Sequence, residues 1–324
     1  MNRTVLLAVA GLASAAGLAA AAPTITQGDA TLQLVPTVPF SGTLPDSNLR
    51  PDGVADYLGK YSWSYRTQFN NQNRLMSDLD TPTVFTSGGR TRITWTNAGP
   101  GPSGQERFNA ELEIEIIDDP ANANTCRVFS KMTVQNNASS TLTYNFFHLA
   151  DIDMAGGSPN ASNDDSVSFS GNTASFTEQS TLETGGAAAA NFSKHEVNTG
   201  LNLRNKVFSG SFDLNDANGP VSGDASSAFQ WTRVLAPGAS EALYAGLAIN
   251  TAVYAQNPCL ADLNRDGLVD DSDFVDFAGA YNDLLCPGIG PSRPFCLADL
   301  NNDGVVDDGD FVLFAGQYNV LLCP

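Results

Sequence analysis

Asp262, Asn264, Asp266, Asp270 and Asp273 stand at positions 1, 3, 5, 9 and 12 of one twelve-residue stretch. Asp299, Asn301, Asp303, Asp307 and Asp310 repeat that spacing 37 residues later. Gly267 and Gly304 fall at position 6, where a loop wrapping an ion must turn sharply. Leu268 and Val305 at position 7 have only a main-chain carbonyl to offer. A hard divalent cation that takes six to eight oxygens at about 2.4 Å is held by this spacing. The two stretches are therefore read as calcium loops, one ion each. Without an ion, the carboxylates crowded on each short loop repel one another.

Chemistry elsewhere in the chain is sparser. His148, Asp151 and Asp153 are followed by Asn163, Asp164 and Asp165 after a glycine-containing loop. Asp151 and Asp153 are two apart, so on a continuous strand they project from one face. Asp151, Asp153, Asp164 and Asp165 make a possible second kind of metal site. Glu111, Glu113 and Glu115 also alternate, but such a row is read as the wet face of a sheet rather than as a pair of glycosidase carboxylates. The two histidines, His148 and His195, are far apart, and no nucleophile elbow, phosphate loop or zinc motif occurs. Trp63, Tyr65, Trp95 and Trp231 sit in strand-like runs and are read as core in preference to a stacking platform for sugars.

The elements around the two loops are also duplicated. Phe274, Phe277, Tyr281, Leu284 and Leu285 recur at helical spacing after the first loop, as do Phe311, Phe314, Tyr318, Leu321 and Leu322 after the second. Proline-bearing segments, not helices, precede each loop, which separates the unit from an EF-hand pair. The pair resembles a type I dockerin module, the duplicated calcium unit at the ends of secreted bacterial polysaccharide-degrading proteins. The resemblance covers residues 259–324. It implies two bound calcium ions and a protein partner, which for dockerins of this type is a cohesin. It places partner reading at positions 10 and 11, here Asp271 and Ser272, Asp308 and Gly309.

Four of the five cysteines lie at equivalent points of the duplication. Of the three possible pairings, Cys259–Cys286 and Cys296–Cys323 respect the duplication most simply. Each closes a loop of about 28 residues, worth roughly 3–4 kcal/mol by chain entropy. Cys126 is left over and is read as a buried thiol in a strand.

Arg3 followed by the apolar run Val5–Ala22 reads as a secretory signal over residues 1–22, which puts the mature protein outside the cytoplasm. The net charge of −19 disfavours nucleic acid and anionic lipid, and no later segment approaches a membrane span. Residues 23–255 are β in texture. Leu112, Ile114 and Ile116 alternate with the Glu row, and 118–124 reads as a hairpin loop to the strand carrying Val128, Met132 and Val134. Further strands are expected at Tyr61–Phe69, Arg92–Asn97, Leu142–Asp153, Ser166–Ser170, Ala190–Val197, Ala228–Leu235 and Glu241–Asn250, with no long helix. An antiparallel β-sandwich or jelly roll follows, joined to a small helical module at 256–324. Tyr144–Asp153, Asn163–Asp165, Ala228–Trp231 and Leu235–Gly238 resemble the β-rich ectodomains of exported bacterial surface proteins.

The expected function is that of a secreted, non-catalytic binding or surface-assembly protein that docks through its calcium module, with glycan a possible ligand of the body. The alternative is a polysaccharide-active enzyme of the glycoside hydrolase type with the same tail. It would need two carboxylates opposed across an aromatic-lined groove.

Overall fold

The computed structural model describes residues 23–34, 47–69, 72–79, 82–87, 89–98, 108–119, 121–154, 165–178, 181–264, 268–283, 295–301 and 305–319. The expected signal segment, Asp164, Asp266, Asp303, Cys286 and Cys323 lie outside the described residues. The chain is mainly β, in antiparallel sheets, with three α-helices among the described residues.

A small sheet opens the chain, built from β1 (Thr24–Gln27), β2 (Ala30–Gln33) and β3 (Asn48–Arg50). There follow β4 (Leu58–Thr67), β5 (Arg74–Leu75), β6 (Thr83–Ser87), β7 (Arg90–Ala98), β8 (Phe108–Asp118), β9 (Cys126–Asn136) and β10 (Leu142–Ile152). Next come β11 (Asp165–Ser170), β12 (Thr173–Glu178), β13 (Thr184–Ala190) and β14 (Lys194–Thr199), which runs directly into α1 (Gly200–Ser209). After β15 (Val221–Ser222), β16 (Ala225–Leu235) and β17 (Ser240–Ile249) come α2 (Asp271–Asp283) and α3 (Asp308–Tyr318). A five-stranded sheet has the order β14-β16-β10-β4-β5, and a nine-stranded one β15-β11-β12-β13-β17-β9-β8-β7-β6.

Alternation decides what each sheet buries. Phe108, Ala110, Leu112, Ile114 and Ile116 of β8 are buried while the residues between them are half-buried, and β8 pairs along its whole length with β9. The inner faces of the two large sheets share one core. Tyr65 of β4 lies 5.3 Å from Phe108 of β8, ring centre to ring centre, and Phe146 of β10 lies 5.9 Å from it. Trp63, Trp95 and Trp231 belong to this core, as read from their strand context. Cys126 is the free, buried thiol, its titration pushed up by that burial.

Two expectations are corrected. The run Ala190–Val197 is two strands, not one: Asn191 turns the chain in the left-handed region (φ 51°), sending β13 to the nine-stranded sheet and β14 to the five-stranded one. The body also contains a helix. α1 lays Leu203 and Val207 against Phe147, Leu149 and Ala228, on the face of the five-stranded sheet opposite the shared core.

α2 and α3 run antiparallel, and with the segments before them they form a separate core. Phe277 and Phe314 stack at its centre with ring centres 4.8 Å apart. Tyr281 near the end of α2 donates to Asp308 at the start of α3, and Tyr318 at the end of α3 donates to Asp271 at the start of α2. The helical spacing seen in the sequence is only half buried: Phe274 and Phe311 are each 44 % exposed.

Candidate functional site

The closing aspartates organise the two loops in the same way. Asp273 is fully buried; its Oδ1 accepts from Leu263 N (2.7 Å) and Asn264 N (3.0 Å), and its Oδ2 accepts from Asp270 N (2.9 Å). Asp310, also fully buried, accepts from Asn301 N (2.9 Å) and Asp307 N (3.0 Å). A carboxylate that ties both ends of a loop through backbone N–H groups fixes where the remaining oxygens point. Ser272 donates to Asp270 through its amide and its hydroxyl, which holds that carboxyl below the usual carboxylate range and therefore ionised. Asp262 is buried at the loop entrance, with Asn264 beside it. The donor set is oxygen throughout and mostly carboxylate, the chemistry that suits calcium in preference to zinc or copper.

The four residues read as a partner-recognition pair are engaged inside the module. Asp308 and Asp271 accept from the two tyrosines, Ser272 donates to Asp270, and Gly309 N donates to Asp307 (2.7 Å). Alongside polar residues such as Asp276, the module leaves large apolar side chains exposed. Phe274 and Phe311, then Val275 and Val312 at 68 % and 69 % exposure, occupy equivalent positions of the duplication.

In the body, the acidic group around β10 assembles differently from the sequence reading. Asp151 and Asp153 are joined by Asp224, whose oxygens lie within 4.8 Å of theirs, and among the described residues Asp165 is not part of the group; Asp164 lies outside the described residues. Gly59 and Gly200 leave the space for this: a Cβ on Gly59 would meet Asp153, and one on Gly200 would meet Asp224 and Asp151. Arg204 of α1 approaches both Asp151 (3.8 Å) and Asp224 (3.7 Å), and Ser226 hydrogen-bonds Asp151. Burial still wins over these partners and pushes Asp151 up to about 6. Asp165 pairs with Glu178 across β11 and β12. Its pKa is raised to about 8 by burial first and by the neighbouring Glu178 second.

His148 points to the other face of β10, into the shared core, with its ring 4.8 Å from Tyr61 and 5.0 Å from Trp63. Burial alone lowers it to about 3, so it is neutral and plays no part in the aspartate cluster. Trp95 Nε1 and Ser77 Oγ are buried without a hydrogen-bond partner among the described residues and belong to residues lining a cavity of about 40 Å³, room for a bridging water.

The Glu row is not a wet face. Arg92, 2 % exposed, donates to Glu113 (2.7 and 2.9 Å), and Arg90 donates to Glu115 (2.7 and 2.9 Å). Phe295 of the C-terminal module covers this ladder, 4.7 Å from the Arg92 guanidinium. The signal was present in the sequence: Arg90 and Arg92 alternate just as Glu113 and Glu115 do. Between this face and the module lies a cleft of about 270 Å³, lined among others by Glu113, Lys131, Tyr244, Asn257 and Phe295.

No family model matches the sequence, and no curated protein matches it either. Among solved structures, the chain is similar to a putative kojibiose phosphorylase from the human microbiome, at 8 % identity and a TM-score of 0.41, covering 72 % of this chain and 30 % of that one. It is similar to a bacterial glucoamylase complexed with acarbose, at 7 % identity and a TM-score of 0.43, covering 72 % and 32 %. A galactose mutarotase related enzyme from Lactobacillus acidophilus gives 7 % identity and a TM-score of 0.44, covering 73 % and 98 %. The chain thus spans about a third of the first two and nearly all of the third. At scores this low the likeness carries no weight for what this chain does.

Proposed function

We propose that the protein is an exported, non-catalytic assembly or binding protein, a β-sandwich body joined to a dockerin-like module that takes up two calcium ions and docks to a protein partner. The observation that carries this reading is the repetition of one cradle. A fully buried aspartate at position 12 gathers the backbone of its own loop, at Asp273 and again at Asp310. Asp262, Asn264, Asp266, Asp270 and Asp273, with the Leu268 carbonyl, would hold the first ion. Asp299, Asn301, Asp303, Asp307 and Asp310, with the Val305 carbonyl, would hold the second. Neutralising each loop lets the helix behind it keep its place, and the paired helices then present Phe274, Val275, Phe311 and Val312 to a partner, an apolar patch with the module's own two-fold repetition.

The enzyme alternative is less well supported. Glu113 and Glu115 lie side by side on one strand, each taken up by an arginine, and do not oppose each other across a groove.

Calorimetric titration of calcium into the chelator-treated mature chain tests the reading. Two equivalents are expected, with one lost in Asp273→Ala and the other in Asp310→Ala, and helix signal falling in chelator. Full helix content in excess chelator, or no calcium heat at all, would sink it.

A further inference from the structure

We propose that the cleft between the outer face of the nine-stranded sheet and the C-terminal module binds one neutral pyranose ring. The cleft has a polar floor and a partly aromatic rim. Glu113, Glu115, Lys131 and Tyr244 rise from β8, β9 and β17, while Asn257 and Phe295 close it from the module side. The two surfaces enclose about 270 Å³ whose lining mixes charged and amide groups with apolar side chains such as Phe129 and Leu260, the mixture that suits a ligand with both polar and apolar faces.

The charges say what kind of ligand fits. Arg90 is matched to Glu115 at 2.7 Å, Arg92 to Glu113 at 2.7 Å, and Lys131 lies 4.0 Å from Glu113. The remaining wall charge, Asp299, is a ligand of the proposed second calcium loop, so with calcium bound a bare anion or cation gains little from the walls. A polyol gains more: carboxylate oxygens keep lone pairs to accept from hydroxyls, and ammonium and amide groups donate to them. Tyr244 and Phe295 supply flat apolar surface for the C–H face of a ring. The volume is below the roughly 300–1,000 Å³ of sites for larger ligands, so one ring or a chain end is held, not a long segment.

Calorimetry on the mature chain with saturating calcium tests this with methyl glycopyranosides of glucose, galactose, mannose and N-acetylglucosamine, both anomers of each. At least one is expected to bind at one per chain. Tyr244→Ala, and Gln256→Ala at a further residue of the cleft lining, are each expected to weaken it by about fivefold or more. Leu201→Ala, on α1 beyond the five-stranded sheet, should leave it unchanged. No heat with any glycoside, or binding indifferent to both cleft substitutions in variants that melt like the parent, overturns the proposal. The inference is separable from calcium-dependent docking. A chain that takes up two ions and binds no glycoside loses only this proposal, and one that binds glycoside without taking up calcium loses only the docking reading.

Discussion

Asp151 is a residue whose environment works against its charge. Ser226 and Arg204 stabilise the carboxylate, yet burial and Asp224 prevail and its pKa rises to about 6. A carboxyl raised in the folded state binds protons that the unfolded chain has already lost. Its contribution is therefore fully present below the unfolded pKa near 4 and is lost as pH climbs through 6. In chelator, Asp151→Asn is expected to melt higher than the parent at about pH 7 and nearly level with it at about pH 4, a difference on the order of 2 kcal/mol. Melting curves of the two proteins across that range check it; parallel pH profiles would show that the side chain keeps an ordinary pKa. Sequence reasoning found Asp151 and Asp153 because their spacing is local. Asp224 lay beyond it, since what brings it in is the pairing of β16 with β10 and the start of α1.

At the scale of elements, local patterns were legible and long-range ones were not. The β8–β9 hairpin announces itself by alternation on both sides of a turn. α1 does not: its buried contacts rest on Leu203 and Val207, four apart, amid Asn, Arg and Lys, too little for a helical stripe to stand out. The helix pair is a further case, and it bears on the cysteines. Cys259 and Cys296 lie among the described residues, whereas Cys286 and Cys323 do not. Gln317, late in α3, donates to Pro258 O (3.3 Å) and accepts from Ala261 N (2.7 Å), so Cys259 lies at the end of α3 from which the chain continues toward Cys323. α2, about 20 Å long at 1.5 Å per residue, ends at the opposite side, where Tyr281 meets Asp308. A disulfide needs Cα atoms within about 7 Å. Bridges between the repeats, Cys259–Cys323 and Cys286–Cys296, are therefore expected in place of the within-repeat pairing that the duplication favours by simplicity. Peptide mapping without reduction decides it, and a peptide linking Cys259 to Cys286 restores the simpler scheme.

Across the whole molecule, the C-terminal module is seated on the body and is not free on its linker. Arg127 donates to Ala252 O and Thr251 Oγ1, both at 3.1 Å, and its guanidinium lies 5.5 Å from the Tyr254 ring. Gly246 in β17 lets the linker come this near, because a Cβ there would run into the Tyr254 carbonyl; a glycine inside a strand often marks such an approach. Phe295 completes the seat, 5.7 Å from Phe85 and over Arg92. Yet among the described residues the module's core shares none with the body's, so each is expected to melt alone once the seat is lost. With calcium present, the parent is expected to unfold in one coupled transition. Phe295→Ala removes a cation–π contact worth about 0.5–2 kcal/mol together with the ring's apolar burial. It should split the calorimetric trace, the module melting first and the body close to its original temperature. Gly246→Ala should split it in the same way by displacing the linker without touching the module. One undivided transition in both variants would mean that body and module are held together by something other than this seat, and the cleft between them would then have no fixed wall.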